Sequence, residues 1–256
     1  MVQPTGGVKQ AMNRVPFSAI VADYREHKLT EELHTDWGSL VFYRMPAFVL
    51  AWALVPLGIH PNSLTTAGLL VLPLMAIAAW MLPAGTAFVV VTILALAFNV
   101  LDCADGPLAR ATGQSSLSGR YMDASADLAY RAVAYGCYGL IADHVSPNAV
   151  FPLVAVGLCC GILATYARVN RLYAAKLMPE RPTAETGARS AFDVAFSFLS
   201  GLDTLLPLIA LIAWAADALP LAMLWFLFFT AGDAVVEVAG NLARARRIDS
   251  EQAGGL

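Results

Sequence analysis

Long apolar runs alternate along the chain with short breaks carrying Pro, Gly or charge. Apolar stretches near 62–82, 86–109, 119–142, 148–172, 191–214 and 218–243 each reach the roughly 20 residues a helix needs to cross the hydrocarbon core. The strict alternation of a membrane barrel is absent, so the spans are read as helices. The pattern predicts an all-α polytopic membrane protein of six transmembrane helices. A further apolar run, Met45 to Leu57, is shorter; it follows Arg44, contains Pro46 and Pro56, and is closed by Gly58. Its length suits an interfacial or re-entrant helix. Upstream, Pro16 to Trp37 mixes apolar with charged residues, as an interfacial or juxtamembrane helix at an anionic leaflet does. The expected organisation is an N-terminal segment over 1–60, a transmembrane domain over 61–243 and a tail over 244–256.

Composition agrees. Of 256 residues, 58% are hydrophobic and 14% charged, against about a quarter charged in soluble domains. The placement of cations says more than the net charge of −3. The breaks at 80–86, 142–148 and 214–220 contain no Lys or Arg. The other breaks and both ends hold every basic residue except Arg131. With six spans, that puts both termini on the cytoplasmic face of the inner or plasma membrane; a seventh span would spoil the alternation. The polar N-terminal stretch has no apolar core followed by a small-residue cleavage site, so no signal peptide is expected. Cys103, Cys137, Cys159 and Cys160 lie in apolar stretches and read as small hydrophobes rather than disulfides. Nothing points to nucleic acid.

The chemistry concentrates in residues 102–127, DCADGPLARATGQSSLSGRYMDASAD. Asp102 and Asp105 close one span; Asp123 and Asp127 open the next. Spacings of three and four residues put each pair on one helix face, so two antiparallel helices can aim four carboxylates into one cavity. Four uncompensated carboxylates near a bilayer interface are costly. A divalent cation relieves that cost, and all-oxygen ligation suits Mg²⁺, Mn²⁺ or Ca²⁺. Gly106 and Gly119, and to a similar degree Ala109, let backbone or ligand come close. Arg110 offers a fork of donors suited to a diphosphate, and Ser116 adds a hydroxyl. A cation, a clamp and one carboxylate free to take a proton make up a phosphoryl-transfer site.

Asp102-x2-Asp105-Gly106-x2-Ala109-Arg110-x8-Gly119-x3-Asp123-x3-Asp127 resembles the signature of the CDP-alcohol phosphatidyltransferases at every fixed position. The resemblance extends to Pro61-Asn62-Ser63-Leu64-Thr65 and to the six-span layout, over most of residues 40–243. It implies that the four aspartates hold one or two Mg²⁺ or Mn²⁺ ions and that Asp127 doubles as the general base. It implies that Asn62, Thr65, Gly106, Ala109, Arg110, Ser116 and Gly119 bind the CDP moiety. The implied reaction moves a phosphatidyl group from CDP-diacylglycerol to the hydroxyl of a small polar alcohol, releasing CMP, in a homodimer. No cytidylyltransferase segment is read in the sequence, so the CDP donor is expected to come from another protein.

Several residues have a plainer alternative. Asn62 and Thr65 also suit helix caps. Arg131, inside a span, is either functional or the counter-ion of Asp233 or Glu237. Arg168 and Arg171 lie where relatives bind the acceptor, yet cytoplasmic helix ends carry cations anyway. The YARVNR segment is partly like phosphatidylserine synthases and partly like phosphatidylinositol phosphate synthases. The 173–190 segment reads as a polar loop over the site, and Asp203 and Thr204 as helix-contact residues. Three competing functions remain: the same chemistry with a CDP-linked head group as donor, a divalent-ion transporter, and an inactive scaffold. Polar groups crowded at one face rather than the midplane disfavour the transporter; the complete motif disfavours the scaffold.

Overall fold

The computed structural model describes residues 15–178 and 201–254, and the described elements are helical throughout. Four short helices lead: α1 (Phe17–His27), α2 (Leu29–Thr35), α3 (Trp37–Phe42) and α4 (Arg44–Leu54), the last running into a 3₁₀ turn at Val55–Leu57. Longer helices follow: α5 (Pro61–Met81), α6 (Ala84–Thr112), α7 (Leu117–Val145) and α8 (Leu153–Leu177). After the undescribed stretch come a 3₁₀ turn at Asp203–Leu205, α9 (Leu206–Ala215) and α10 (Leu219–Gly254).

Local chemistry sets the boundaries. Gly58, at φ +64°, takes the left-handed conformation that ends the Met45–Leu57 run. Pro61 occupies the first turn of α5, where its missing N–H costs nothing. α6 ends in a Schellman motif: Gly113, at φ +66°, donates to the Arg110 carbonyl (3.2 Å), and Gln114 donates to that of Ala109 (2.8 Å). Three residues on, Ser116 caps α7, its Oγ accepting the Gly119 N–H at 3.0 Å. A short, doubly capped turn therefore folds α7 back along α6.

α7 packs most extensively on α8 and also on α5 and α6, while α8 packs on α10. Small residues permit this. A Cβ at Gly157 would come 2.4 Å from the Tyr135 carbonyl oxygen, and one at Gly139 would come 2.6 Å from that of Leu153. Backbones in direct contact are how helices associate tightly where lipid removes the hydrophobic incentive. The main core includes Phe88, Val91, Tyr135, Tyr138, Met223 and Phe226. A second core joins α1 and α4 to α5 and α6 through Ile20, Tyr24, Phe48, Leu64, Ala104 and Leu108.

Among the described residues, four helices are long and apolar enough to cross a membrane: α5, α6, α8 and Leu219–Glu251 of α10. Their outer faces leave Leu70, Leu74 and Ile77, Val89 and Ile93, and Leu158 and Ile162 uncovered, at the three- and four-residue steps of a lipid-facing stripe. α7 matches α6 at 29 residues but carries Arg120, Asp123, Asp127, Arg131 and Asp143, which lower its hydropathy. Of the expected span at 191–214, the part before Gly201 lies outside the described residues, as does most of the expected 173–190 loop. The expected N-terminal helix over Pro16–Trp37 is broken into α1 and α2, with α3 beginning at Trp37.

Candidate active site

The α6–α7 hairpin brings the four aspartates into one half-buried neighbourhood. The Asp102 and Asp123 carboxyls lie within hydrogen-bond reach across it, with Asp127 and Asp105 as further electrostatic neighbours of Asp102. Thr65, buried on α5, donates from Oγ1 to Asp105 Oδ2 at 2.7 Å.

The remaining motif residues border this group. A Cβ at Gly119 would lie 2.9 Å from Asn62 Oδ1 and 3.1 Å from Ser116 Oγ. The glycine thus lets the first turns of α5 and α7 meet. The cap of α5 is His60, whose Nδ1 accepts the Asn62 N–H at 3.2 Å. Asn62 and Thr65 are therefore free of the capping role their residue types suggested: α5 begins at Pro61, two residues before an Asn62 cap would start it and five before a Thr65 cap would. Ser116 is a cap, with Ser118 Oγ 3.2 Å away as a second hydroxyl partner. Ala109, half-buried beside Arg110, gives its carbonyl to the turn. A Cβ at Gly106 would meet Arg110 Nη1 at 3.4 Å, so the guanidinium lies along the glycine. Arg110 Nε donates to Asp23 Oδ2 on α1 at 2.6 Å.

Asp127 is held from two helices. Arg131, one turn on, reaches Oδ1 at 3.1 Å, and Arg168 of α8 donates from Nε to Oδ2 at 3.1 Å. The other partner of Arg131 is Asp203. This corrects the expected pairing with Asp233 or Glu237, because those acids sit on the stretch of α10 facing α8. There they take Arg171, at 3.7 and 3.1 Å, and Glu237 also accepts from Asn241 at 3.0 Å. Asp203 and Thr204 are likewise more than helix-contact residues. Asp203 accepts from Tyr135 at 2.8 Å; Thr204 donates to Asp36 at 2.6 Å and receives Tyr43 on its carbonyl at 3.2 Å.

A network unmarked in the sequence ties the N-terminal helices to this end of α6. Glu32 accepts from Arg44 Nε at 2.8 Å and also from Nη2, while Arg44 Nη1 donates to the Cys103 carbonyl at 2.9 Å, next to Asp102. Tyr24 donates to Glu32 at 2.6 Å, and its ring lies 5.1 Å from the Arg44 guanidinium carbon. Burial, and then the Glu32 carboxylate, push the Tyr24 phenol above its ordinary range, so it remains a donor. Neither Asp23 nor Glu32 belongs to a local motif, and only the fold brings them to α6.

The donor set fits a hard divalent cation: four carboxylates on two helix ends, no sulfur or imidazole among them, two in mutual contact. Contacting carboxylates repel unless a proton or cation lies between them. Among the described residues, no three His, Cys, Asp or Glu stand in ready-made ligand geometry. Asp127 is turned onto its two arginines and Asp105 onto Thr65.

No curated protein matches the chain. The CDP-alcohol phosphatidyltransferase family profile matches residues 58–232, more than half of the sequence and all of the helical hairpin that carries the aspartates. The chain belongs to the CDP-alcohol phosphatidyltransferase family.

Proposed function

We propose that this protein transfers a phosphatidyl group from CDP-diacylglycerol to the hydroxyl of a small polar alcohol, with release of CMP. The observation that carries the reading is the convergence of all eight motif residues on the α6–α7 hairpin, with Asp102 against Asp123 and Thr65 bonded to Asp105. The transmembrane domain is taken as 61–243, with six spans, both termini and the site on the cytoplasmic side, and a homodimer as the assembly. The cationic breaks at 105–120 and after α8 support that orientation.

Asp102, Asp105, Asp123 and Asp127 would hold one or two Mg²⁺ or Mn²⁺ ions. Bound there, the cation neutralises the donor's diphosphate and the charge that develops on the leaving CMP. Arg110 supplies a directional positive fork to the same diphosphate, and Gly106 and Gly119 leave room for it. Asn62, Thr65, Ala109 and Ser116 complete the CDP pocket. The acceptor oxygen attacks the phosphorus that carries the diacylglycerol. Its proton passes to Asp127, a new phosphorus–oxygen bond forms, and the bond to CMP breaks with its electron pair going to the CMP phosphate. Arg131 and Arg168 hold Asp127 in place, and Arg168 and Arg171 meet the acceptor from α8.

The test is CMP release by the purified protein in lipid nanodiscs with CDP-diacylglycerol and Mg²⁺ or Mn²⁺, offering glycerol 3-phosphate, serine, inositol, inositol phosphate and choline separately. We expect release that depends on one acceptor, stops on chelation, and falls by at least about 100-fold in Asp127→Asn. Equal release by the variant removes Asp127 from the role of base. Release only from a CDP-linked head group reassigns the donor. Divalent-ion flux without any release replaces the enzyme reading with transport.

A further inference from the structure

Asp23 lies in α1, before the family-matched region begins at residue 58. Its carboxylate meets Arg110 across 87 residues of sequence. We propose that Asp23 is a positioning residue for the donor diphosphate, holding Arg110 by its Nε so that the Nη edge of the guanidinium faces the ligand. The inference rests on the CDP-donor reading above.

Three features of the contact carry it. The first is which nitrogen is used. Arginine has five N–H donors on two edges, and the bond to Asp23 runs from Nε at 2.6 Å. A carboxylate competing with the diphosphate would take the bidentate geometry of an anion. Asp23 instead leaves Nη1 against Gly106, where even an added Cβ would come within 3.4 Å. The missing side chain keeps that edge open beside the Asp105 and Asp102 end of the helix.

The second is that α1 is anchored without Asp23. Ile20 and Tyr24 are buried, Tyr24 packs edge-on against Phe48 with centroids 5.0 Å apart, and its hydroxyl bonds Glu32. Glu32 in turn holds Arg44, which reaches the Cys103 carbonyl. Cys103 and Arg110 are seven positions apart on α6, about 10 Å by helical rise. α1 and α4 thus grip the same helix at two levels, and the Asp23–Arg110 pair is the level at the arginine.

The third is the setting of the carboxylate. Its Oδ2 takes Arg110, and its Oδ1 lies 3.4 Å from His27 Nδ1, whose own hydrogen bond is with the Asp23 backbone carbonyl at 2.9 Å. Both partners of the Asp23–Arg110 pair are about a third exposed. The pair adds little to folding in that setting, which leaves orientation as its contribution.

The experiment is equilibrium binding of CDP-diacylglycerol, with donor KM and kcat measured in parallel. It uses the full-length protein in nanodiscs with Mg²⁺, unaltered and as Asp23→Asn, Asp23→Glu and Glu26→Gln. Asn keeps the shape and removes the charge. Glu keeps the charge on a longer arm. Glu26 lies on the exposed face of α1, so Glu26→Gln removes the same charge away from the arginine. We expect Asp23→Asn to weaken donor binding and raise donor KM about three- to tenfold, with kcat within about twofold and unchanged thermal unfolding. Asp23→Glu should fall between, and Glu26→Gln should match the unaltered protein. Asp23→Asn behaving like Glu26→Gln overturns the inference. Tighter binding by Asp23→Asn also overturns it and makes Asp23 a competitor for the arginine. Failure of the unaltered protein to bind CDP-diacylglycerol removes the donor reading, and this inference with it.

Discussion

Thr65 holds Asp105 through a single hydroxyl from a neighbouring helix, 2.7 Å away and buried. A hydrogen bond to a charged group contributes more than a neutral one, and its loss leaves the carboxylate free to rotate. Thr65→Val keeps the shape and removes the donor. CMP release is expected to fall about tenfold, with thermal unfolding shifted by only a few degrees; Thr65→Ser should keep most of the activity. A loss of folding without a specific loss of activity would make Thr65 a packing residue. The four aspartates and Arg110 were legible before the fold because their signal is local, held within 26 residues at helical spacing. Asp23, Glu32 and Asp203 were not legible as partners. Each meets its arginine through the fold, and an acid read in the sequence looks the same whether it faces water or a guanidinium.

At the scale of elements, the contact of α7 with α8 is the one whose disturbance reaches the site. α7 carries Asp123, Asp127 and Arg131, and α8 carries Arg168. Gly157 lies at their closest approach, 2.4 Å from the Tyr135 oxygen to an added Cβ. Backbone cannot yield as a side-chain tip can, so Gly157→Ala should cost about 1–3 kcal/mol and pull Arg168 away from Asp127. The check is unfolding in detergent together with CMP release, and both should fall. Gly85→Ala is the control, since nothing lies within 4 Å of an added Cβ there. Helix ends were readable where chemistry marks them: Gly58 closes the Met45–Leu57 run as expected. Ser116 was singled out for its hydroxyl, and its capping role emerges only with the backbone in place. The polar character of α7 follows from its position, because a helix enclosed by neighbours can carry charges that a lipid-facing one cannot.

The whole molecule adds topology. With six spans and cytoplasmic termini, a cysteine at Asn148 should react with a membrane-impermeant maleimide added outside intact cells. Cysteines at Ser115 and Ser250 should react only after permeabilisation, all in a background whose four native cysteines are replaced. Labelling of Ser115→Cys from outside would invert the orientation; labelling of both Asn148→Cys and Ser250→Cys would make the span count odd. The structure supports crossing for α5, α6, α8 and α10 by length and composition, and the family match covers the segment that contains the aspartate hairpin.

Apolar run length and the aspartate spacing were enough, on sequence alone, to establish a helical membrane protein and its family. Both signals are local: a span is a run of about 20 residues, and the motif fits on two adjoining helix ends. Pairing between helices is not local. Which acid takes which arginine depends on the rotation and depth of helices that the chain brings together from far apart. Asp127 and Arg131 pair locally, one turn apart on α7; only the fold could bring Arg168 to Asp127, give Asp233 and Glu237 to Arg171, and set Asp23 behind Arg110.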